Sequence, residues 1–267
     1  MKNLVHLYQS YKRCLVRITV KNDLGDLSTG TAFHIGDGWL ATARHVVEGY
    51  DIEEIISEYC SKKLTAAQII YHSNPLVDLA VIRTDLNLAH YMEKVTIVNP
   101  PDGFVKADHI VFGDHLDDWL GDELCLSKVL LMGYPPVPFS GRAELIAAEG
   151  EINAVIDKYN APHPHFIISC MSRGGFSGGP VLSEYGFLLG VLTESLIHDS
   201  RDEELGYSAA VSIEPLLELL HSNGVYPGDN RELLEVIYDG KEFSCSPQKT
   251  RNKTKLYRQL RKETRFR

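Results

Sequence analysis

Ser177 lies in the run Gly174-Gly175-Phe176-Ser177-Gly178-Gly179-Pro180, a serine set among glycines. Glycine tolerates the dihedrals that turn backbone N–H groups inward, so this stretch can cradle developing negative charge beside a hydroxyl. A serine is a poor nucleophile at neutral pH until an imidazole takes its proton and a carboxylate holds that imidazole. Both lie upstream. His45 follows a short apolar strand in Ala41-Thr42-Ala43-Arg44-His45-Val46-Val47, and Asp78 interrupts the apolar run Asn74-Pro75-Leu76-Val77-Asp78-Leu79-Ala80-Val81-Ile82. A lone carboxylate there is costly unless it is paired. Each residue has a plainer reading: a Gly-rich turn for Ser177, a core histidine for His45, a turn residue for Asp78. Their appearance together, in the order His, Asp, Ser, favours the chemistry.

The order and the local motifs together resemble the trypsin-like (chymotrypsin-fold) serine proteases, most closely their HtrA-type bacterial branch. The resemblance runs from Cys14 to Gly224 through Gly30-Thr31-Ala32-Phe33, Thr42-Ala43 with His45, Asp78-Leu79-Ala80, Gly133-Tyr134-Pro135 and Gly175-Phe176-Ser177-Gly178-Gly179-Pro180. Gly175-Phe176-Ser177-Gly178-Gly179 also satisfies the G-x-S-x-G elbow of α/β-hydrolases, which needs a helix directly after the serine. Here Gly178-Gly179-Pro180 and a hairpin pattern around Ser183-Glu184-Tyr185-Gly186 argue against one. The resemblance implies a serine endopeptidase working through His45, Asp78 and Ser177, with the N–H groups of Gly175 and Ser177 as oxyanion hole and no cofactor.

It also implies substrate-binding positions. Met171 and Ser172 fall at the base of the pocket, Thr193, Glu194 and Ser195 on an edge strand that pairs with substrate, and Gly206 on the far wall. Thr193 matches a position that supports the triad aspartate by hydrogen bonding. With no acidic residue at the pocket base, a medium apolar or small P1 residue is expected. Digestive relatives place an aspartate just before the serine to pair with a new N-terminus; Phe176 cannot make that ion pair. The oxyanion loop is then expected to be ordered by a partner or substrate rather than by clipping. A catalytically silent binding module, holding a partner through the cleft and the basic tail, is the competing reading.

The elements that must position these residues are mostly short strands. Leu4, Leu7, Tyr8 and Tyr11 recur at helical spacing. Val16, Ile18 and Val20 alternate as in a half-buried strand, and Gly36-Asp37-Gly38 marks a tight turn between strands at 30–35 and 39–42, which delivers His45 to a strand end. Residues 53–59 could be helical, followed by strands at 68–71 and 79–82. Pro100-Pro101-Asp102-Gly103 reads as a loop, and the acidic stretch 113–122 as exposed. Strands are expected at 129–134, 145–156, 165–170, 181–182, 187–193 and 207–211. Ser212 is placed to cap a helix through Leu216 to Leu220 that stops at Asn223-Gly224, with a second helix at 231–238. The fold class expected is all-β, two antiparallel β-barrels of the chymotrypsin type with short terminal helices. Residues 1–122 form the first barrel, 123–224 the second, and 225–267 a helix plus a basic tail.

A chain of 267 residues with 44% hydrophobic residues can build two small barrels sharing an interface. No run approaches the ~18 apolar residues of a membrane span, and the N-terminus lacks the apolar region of a signal peptide. Five cysteines, Cys14, Cys60, Cys125, Cys170 and Cys245, are odd in number and contain no CxxC pair, so free thiols and a cytoplasmic location are expected. The net charge of −9 is uneven: residues 241–267 hold ten Lys/Arg and two Glu, the first 240 residues 17 Lys/Arg and 34 Asp/Glu. Such a tail could meet nucleic acid or an acidic surface, or fold back on the acidic body; a solvated tail is the simpler reading. The implied partners are a protein or peptide substrate and an activating partner. His163 and His165 invite a metal reading, but no Cys, His or Asp spacing elsewhere matches them, so no metal site is expected.

Overall fold

The computed structural model describes residues 4–60, 62–97, 100, 104–113, 124–141, 143–158, 163–170, 174–198, 201–231, 233 and 234. Helix α1 (Leu4–Tyr11) and a 3-10 turn (Lys12–Cys14) lead into β1 (Leu15–Lys21), β2 (Leu27–Gly36), β3 (Trp39–Thr42) and the one-turn helix α2 (Arg44–Val47). Then come β4 (Asp51–Ser57), β5 (Lys62–Leu64), β6 (Ala66–Tyr71), β7 (Ala80–Thr84) and α3 (Leu88–Lys94). The second half holds β8 (Lys128–Gly133), β9 (Ile146–Asp157), β10 (Pro164–Ile168), β11 (Pro180–Ser183), β12 (Leu188–His198), β13 (Arg201–Ser212) and α4 (Glu214–Ser222).

These strands form two antiparallel sheets. The first runs β5-β4-β1-β2-β3-β7-β6, curled as a half-barrel, and the second closes as the barrel β10-β13-β12-β11-β8-β9. The β2–β3 turn shows why the sequence folds this way: Asp37 and Gly38 both have positive φ, 50° and 78°, and Gly36 pairs with Trp39. Two such residues match the right-handed twist of the flanking strands. That turn sets the register that carries β3 toward His45.

Alternation along the second-half strands divides the core. Val129 and Leu131 of β8 face the barrel interior with Ile152, Phe166, Val181 and Leu189, while Leu130 and Met132 join the larger core between the sheets. Strands buried on both faces read as unbroken apolar runs. The larger core takes Leu15, Ile18, Phe33, Leu40 and Ile82 from the first sheet and Leu216, Leu217, Leu219 and Leu220 from α4. Helix α1 docks on the far barrel, where Tyr11 Oη donates to the Gly186 carbonyl at 2.8 Å. Among the described residues no helix is long and apolar enough to cross a membrane.

Three local expectations need correction or completion. Residues 53–57 are strand, not helix: Ile52, Ile55 and Ile56 pair with Val20, Ile18 and Arg17 around a bulge at Glu53 in β4, and Lys21 and Arg17 reach Glu53 and Glu54 from the neighbouring strand. Sheet pairing there overrides the helical preference of the glutamates. Ser212 does not cap α4; Ile213 holds the cap position without a side-chain bond, Pro215 opens the helix, and Ser212 Oγ is buried without a hydrogen-bond partner among the described residues. Strand β5 and helix α3, capped by Asn87 Oδ1 on the His90 N–H, were not foreseen. The expected helix at 231–238 is helical at 231, 233 and 234, the rest lying outside the described residues, as do most of 113–122 and the tail.

Asn230 buttons the two halves together. It is 1% exposed; its Nδ2 donates to the carbonyls of Ile35 and Ile110, and its Oδ1 accepts from the Phe112 N–H. Phe112 in turn bridges to Leu188 of the barrel. Replacing Asn230 by Leu strands three buried backbone groups, at about 1 kcal/mol or more each. Urea unfolding of Asn230→Leu is expected to show a loss of about 3 kcal/mol.

Candidate active site

His45 sits on α2, immediately after β3. One carboxylate holds it twice: Asp78 Oδ1 accepts the His45 backbone N–H at 2.9 Å, and Asp78 Oδ2 accepts Nδ1–H at 2.7 Å. The second bond keeps the proton on Nδ1 and leaves Nε2 as a free base. The Asp78 bond, strengthened by the charges of Asp78 and Glu194, raises the His45 pKa above the ordinary imidazole value against the opposing effect of burial. Arg44 steadies α2 from the other side, stacking over Tyr71 at 5.2 Å and donating to the His72 carbonyl at 3.2 Å.

Asp78 reaches His45 from a short loop between β6 and β7. His72 N–H donates to the Leu79 carbonyl at 3.1 Å, closing the loop, and Asn74 Oδ1 accepts the Leu76 N–H at 3.0 Å inside it. Pro75 favours such a turn.

The Ser177 turn is stitched to the first sheet at Thr31. Thr31 N–H donates to the Ser177 carbonyl at 2.9 Å, Thr31 Oγ1–H donates to the Gly175 carbonyl at 2.6 Å, and Thr31 Oγ1 accepts the Tyr134 N–H at 2.9 Å. The Thr31 carbonyl takes the hydroxyl of Thr42, the last residue of β3, at 2.7 Å. Gly178, at φ +83°, lies so close that a Cβ there would come within 2.2 Å of the Thr31 carbonyl and Thr42 Oγ1 and 2.9 Å of the Ala43 nitrogen. The serine is thereby held beside the chain that leads into His45.

Phe176 anchors the same turn on its other side, 4% exposed in the interior of the second barrel. Gly175 has φ +98°, and no described residue accepts from the N–H of Gly175 or of Ser177. Among the described residues no hydrogen bond joins Ser177 Oγ to His45. In ligand-free sites such contacts are commonly long and tighten with substrate.

A cleft of about 410 Å³ opens along His45 and Asp78, lined also by Leu76, Lys158, His163, His165, Thr193 and Glu194. Thr193 and Glu194 are where the sequence put them, on β12. The expected bond from Thr193 to Asp78 is not made, because the Thr193 hydroxyl donates to the Ala209 carbonyl at 3.3 Å. Ser195 lies on β12 opposite Ser208, and Gly206 on β13. Met171 and Ser172 fall outside the described residues. Lys158 pairs with Glu194 across the cleft, a contact no sequence motif announced. Cys14, Cys60, Cys125 and Cys170 are free thiols, and Cys245 lies outside the described residues.

The trypsin-like peptidase domain family matches residues 30–191. Among solved structures, the active form of the Rv3671c protease from M. tuberculosis matches with TM-score 0.57 and 20% identity over 84% of this chain and 87% of that one. The HtrA-type protease AlgW with tripeptide matches with TM-score 0.59 and 19% identity over 88% of this chain and 72% of that one. No curated protein sequence matches.

Thr31→Val leaves the Gly175 carbonyl and the Tyr134 N–H buried and unpaired. A loss of about 2–6 kcal/mol in chemical denaturation is expected, at about 1–3 kcal/mol for each of the two stranded groups.

Proposed function

Because the chain belongs to the trypsin-like peptidase family, matched over 162 of its 267 residues, we propose that it cleaves protein substrates with His45, Asp78 and Ser177 as its triad. The observation that carries this reading is the paired hold of Asp78 on His45, with the Ser177 turn pinned to the same sheet by Thr31. His45 Nε2 takes the Ser177 proton as Oγ attacks the scissile carbonyl. The carbonyl oxygen becomes an oxyanion held by the N–H groups of Gly175 and Ser177, each such donor contributing about 3 kcal/mol. His45 then gives its proton to the leaving amine, an acyl-enzyme remains on Ser177, and water activated by His45 releases it. Asp78 keeps its charge throughout and stabilises the imidazolium.

Substrate in the cleft draws Ser177 Oγ and His45 Nε2 into contact, with β12 at Thr193 and Glu194 as the strand that receives the peptide. The Lys158–Glu194 pair puts both signs of charge beside that strand. The likeness in fold to HtrA-type proteases supports placing the chain near that branch, and the four described cysteines, all free, support a reducing, cytoplasmic setting.

A fluorophosphonate probe tests the triad directly. Labelling is expected on Ser177 in the wild type, lost in Ser177→Ala and reduced by several orders of magnitude in His45→Ala; a wild type that never labels, with or without peptide in the cleft, would sink the proposal. The pH profile gives a second check. Catalysis needs neutral His45, and Asp78 raises the pKa of that group, so activity should climb through a pKa above the ordinary 6.5 of imidazole. Asp78→Asn should move that limb to lower pH and cut kcat by about 10⁴-fold.

A further inference from the structure

Next to the catalytic aspartate lies a second group of side chains that the proposed chemistry does not use. His72 stands at the base of the Asp78 loop, His163 just ahead of β10, and Glu218 on α4, so the group joins the first sheet, the barrel and a helix. Their donor atoms all lie within 4.8 Å of one another. Glu218 Oε2 is 3.6 Å from His72 Nε2 and 3.5 Å from His163 Nε2, and the three side chains are only 7%, 7% and 12% exposed for His72, His163 and Glu218. His163 Nε2 is buried with no hydrogen-bond partner among the described residues.

These separations are too long for hydrogen bonds, which fall near 2.7–3.2 Å. They suit a shared ion instead. A metal about 2.0–2.1 Å from each nitrogen and oxygen donor in a tetrahedron holds those donors about 3.3–3.4 Å apart. We propose that His72, His163 and Glu218 form a binding site for a divalent transition metal of the zinc class, bracing the two sheets and α4 behind the catalytic aspartate. Two imidazoles and one carboxylate are a donor set suited to zinc. His163 also lines the cleft, which gives solvent a route to a fourth coordination position.

One contact makes the proposal more specific. His72 Nδ1 accepts the Asn74 N–H at 3.1 Å. Coordination through Nε2 leaves the ring proton on Nδ1, so the loaded site must turn Asn74 N–H away. Asn74 organises the turn that ends at Asp78, accepting from Leu76 through Oδ1 and from Val77 through its carbonyl. Metal loading therefore reaches the loop that carries the catalytic carboxylate.

Equilibrium dialysis of the full chain against Zn²⁺, with Ser177→Ala as background so that no self-cleavage intervenes, reads the site without reference to activity. One zinc per chain is expected, with affinity falling by more than about 100-fold in His163→Ala and in Glu218→Gln, beyond the roughly 10–100-fold loss typical of a supporting neighbour. Urea midpoints and circular dichroism of the metal-free variants confirm that they fold, and the conservative Glu218→Gln alone suffices if His163→Ala does not. Co²⁺ should give visible absorption of tetrahedral intensity that both variants lose, and Zn²⁺ should shift the Asn74 amide resonance. Binding absent from the wild type would overturn the proposal. So would binding that survives Glu218→Gln but disappears in His45→Ala, which would place the ion on the triad itself.

Discussion

Thr31 is the constraint on which the site depends. Fully buried, it commits its N–H, its hydroxyl proton, its hydroxyl lone pair and its carbonyl to four partners in three stretches of chain. Two of those partners are the carbonyls of Gly175 and Ser177, one lies in the Gly133-Tyr134-Pro135 stretch, and one ends the strand that leads to His45. In a dry interior each unmade bond would cost a desolvated polar group. The position of Ser177 relative to His45 is therefore a joint property of both sheets rather than of the glycine-rich turn alone. The Gly-rich sequence permits the close approach, and Thr31 fixes it.

On the opposite side of the cleft the geometry is governed by charge. A single carboxylate serving the backbone and the ring of the same histidine fixes where the imidazole is, which way it faces and which nitrogen holds the proton. Glu194 adds to the field at His45 while its own charge is met by Lys158. The cleft thus sets the imidazole of His45 beside a nearby compensated pair, Glu194 of β12 with Lys158.

The sequence disclosed the local motifs more fully than the scaffold. His45, Asp78 and Ser177 sit in local motifs of distinctive residue types, and the strands with alternating or unbroken apolar character were readable from their patterning. Residues 53–57 misled because consecutive glutamates favour helix, whereas the deciding terms are cross-strand partners in β1 and cations on β1, some 30 to 40 positions away. Ser212 had the chemistry of a cap, yet Pro215 opens the helix without it. The Thr193 hydroxyl turns to the Ala209 carbonyl because the register of β12 against β13 shifts at Thr193. The gathering of His72, His163 and Glu218 had no signal at all in spacing, since each comes from a different layer of the fold.

The docking of α1 carries a consequence for synthesis. Its Tyr11 hydroxyl finds its acceptor 175 positions further along the chain, at the β11–β12 turn. During translation at ~5–20 residues per second, the opening segment must wait many seconds with its apolar face uncovered before that surface leaves the ribosome. Whatever shields Leu7 and Tyr11 in the interval, whether a chaperone or a transient resting place on the nascent first sheet, is a requirement of this topology.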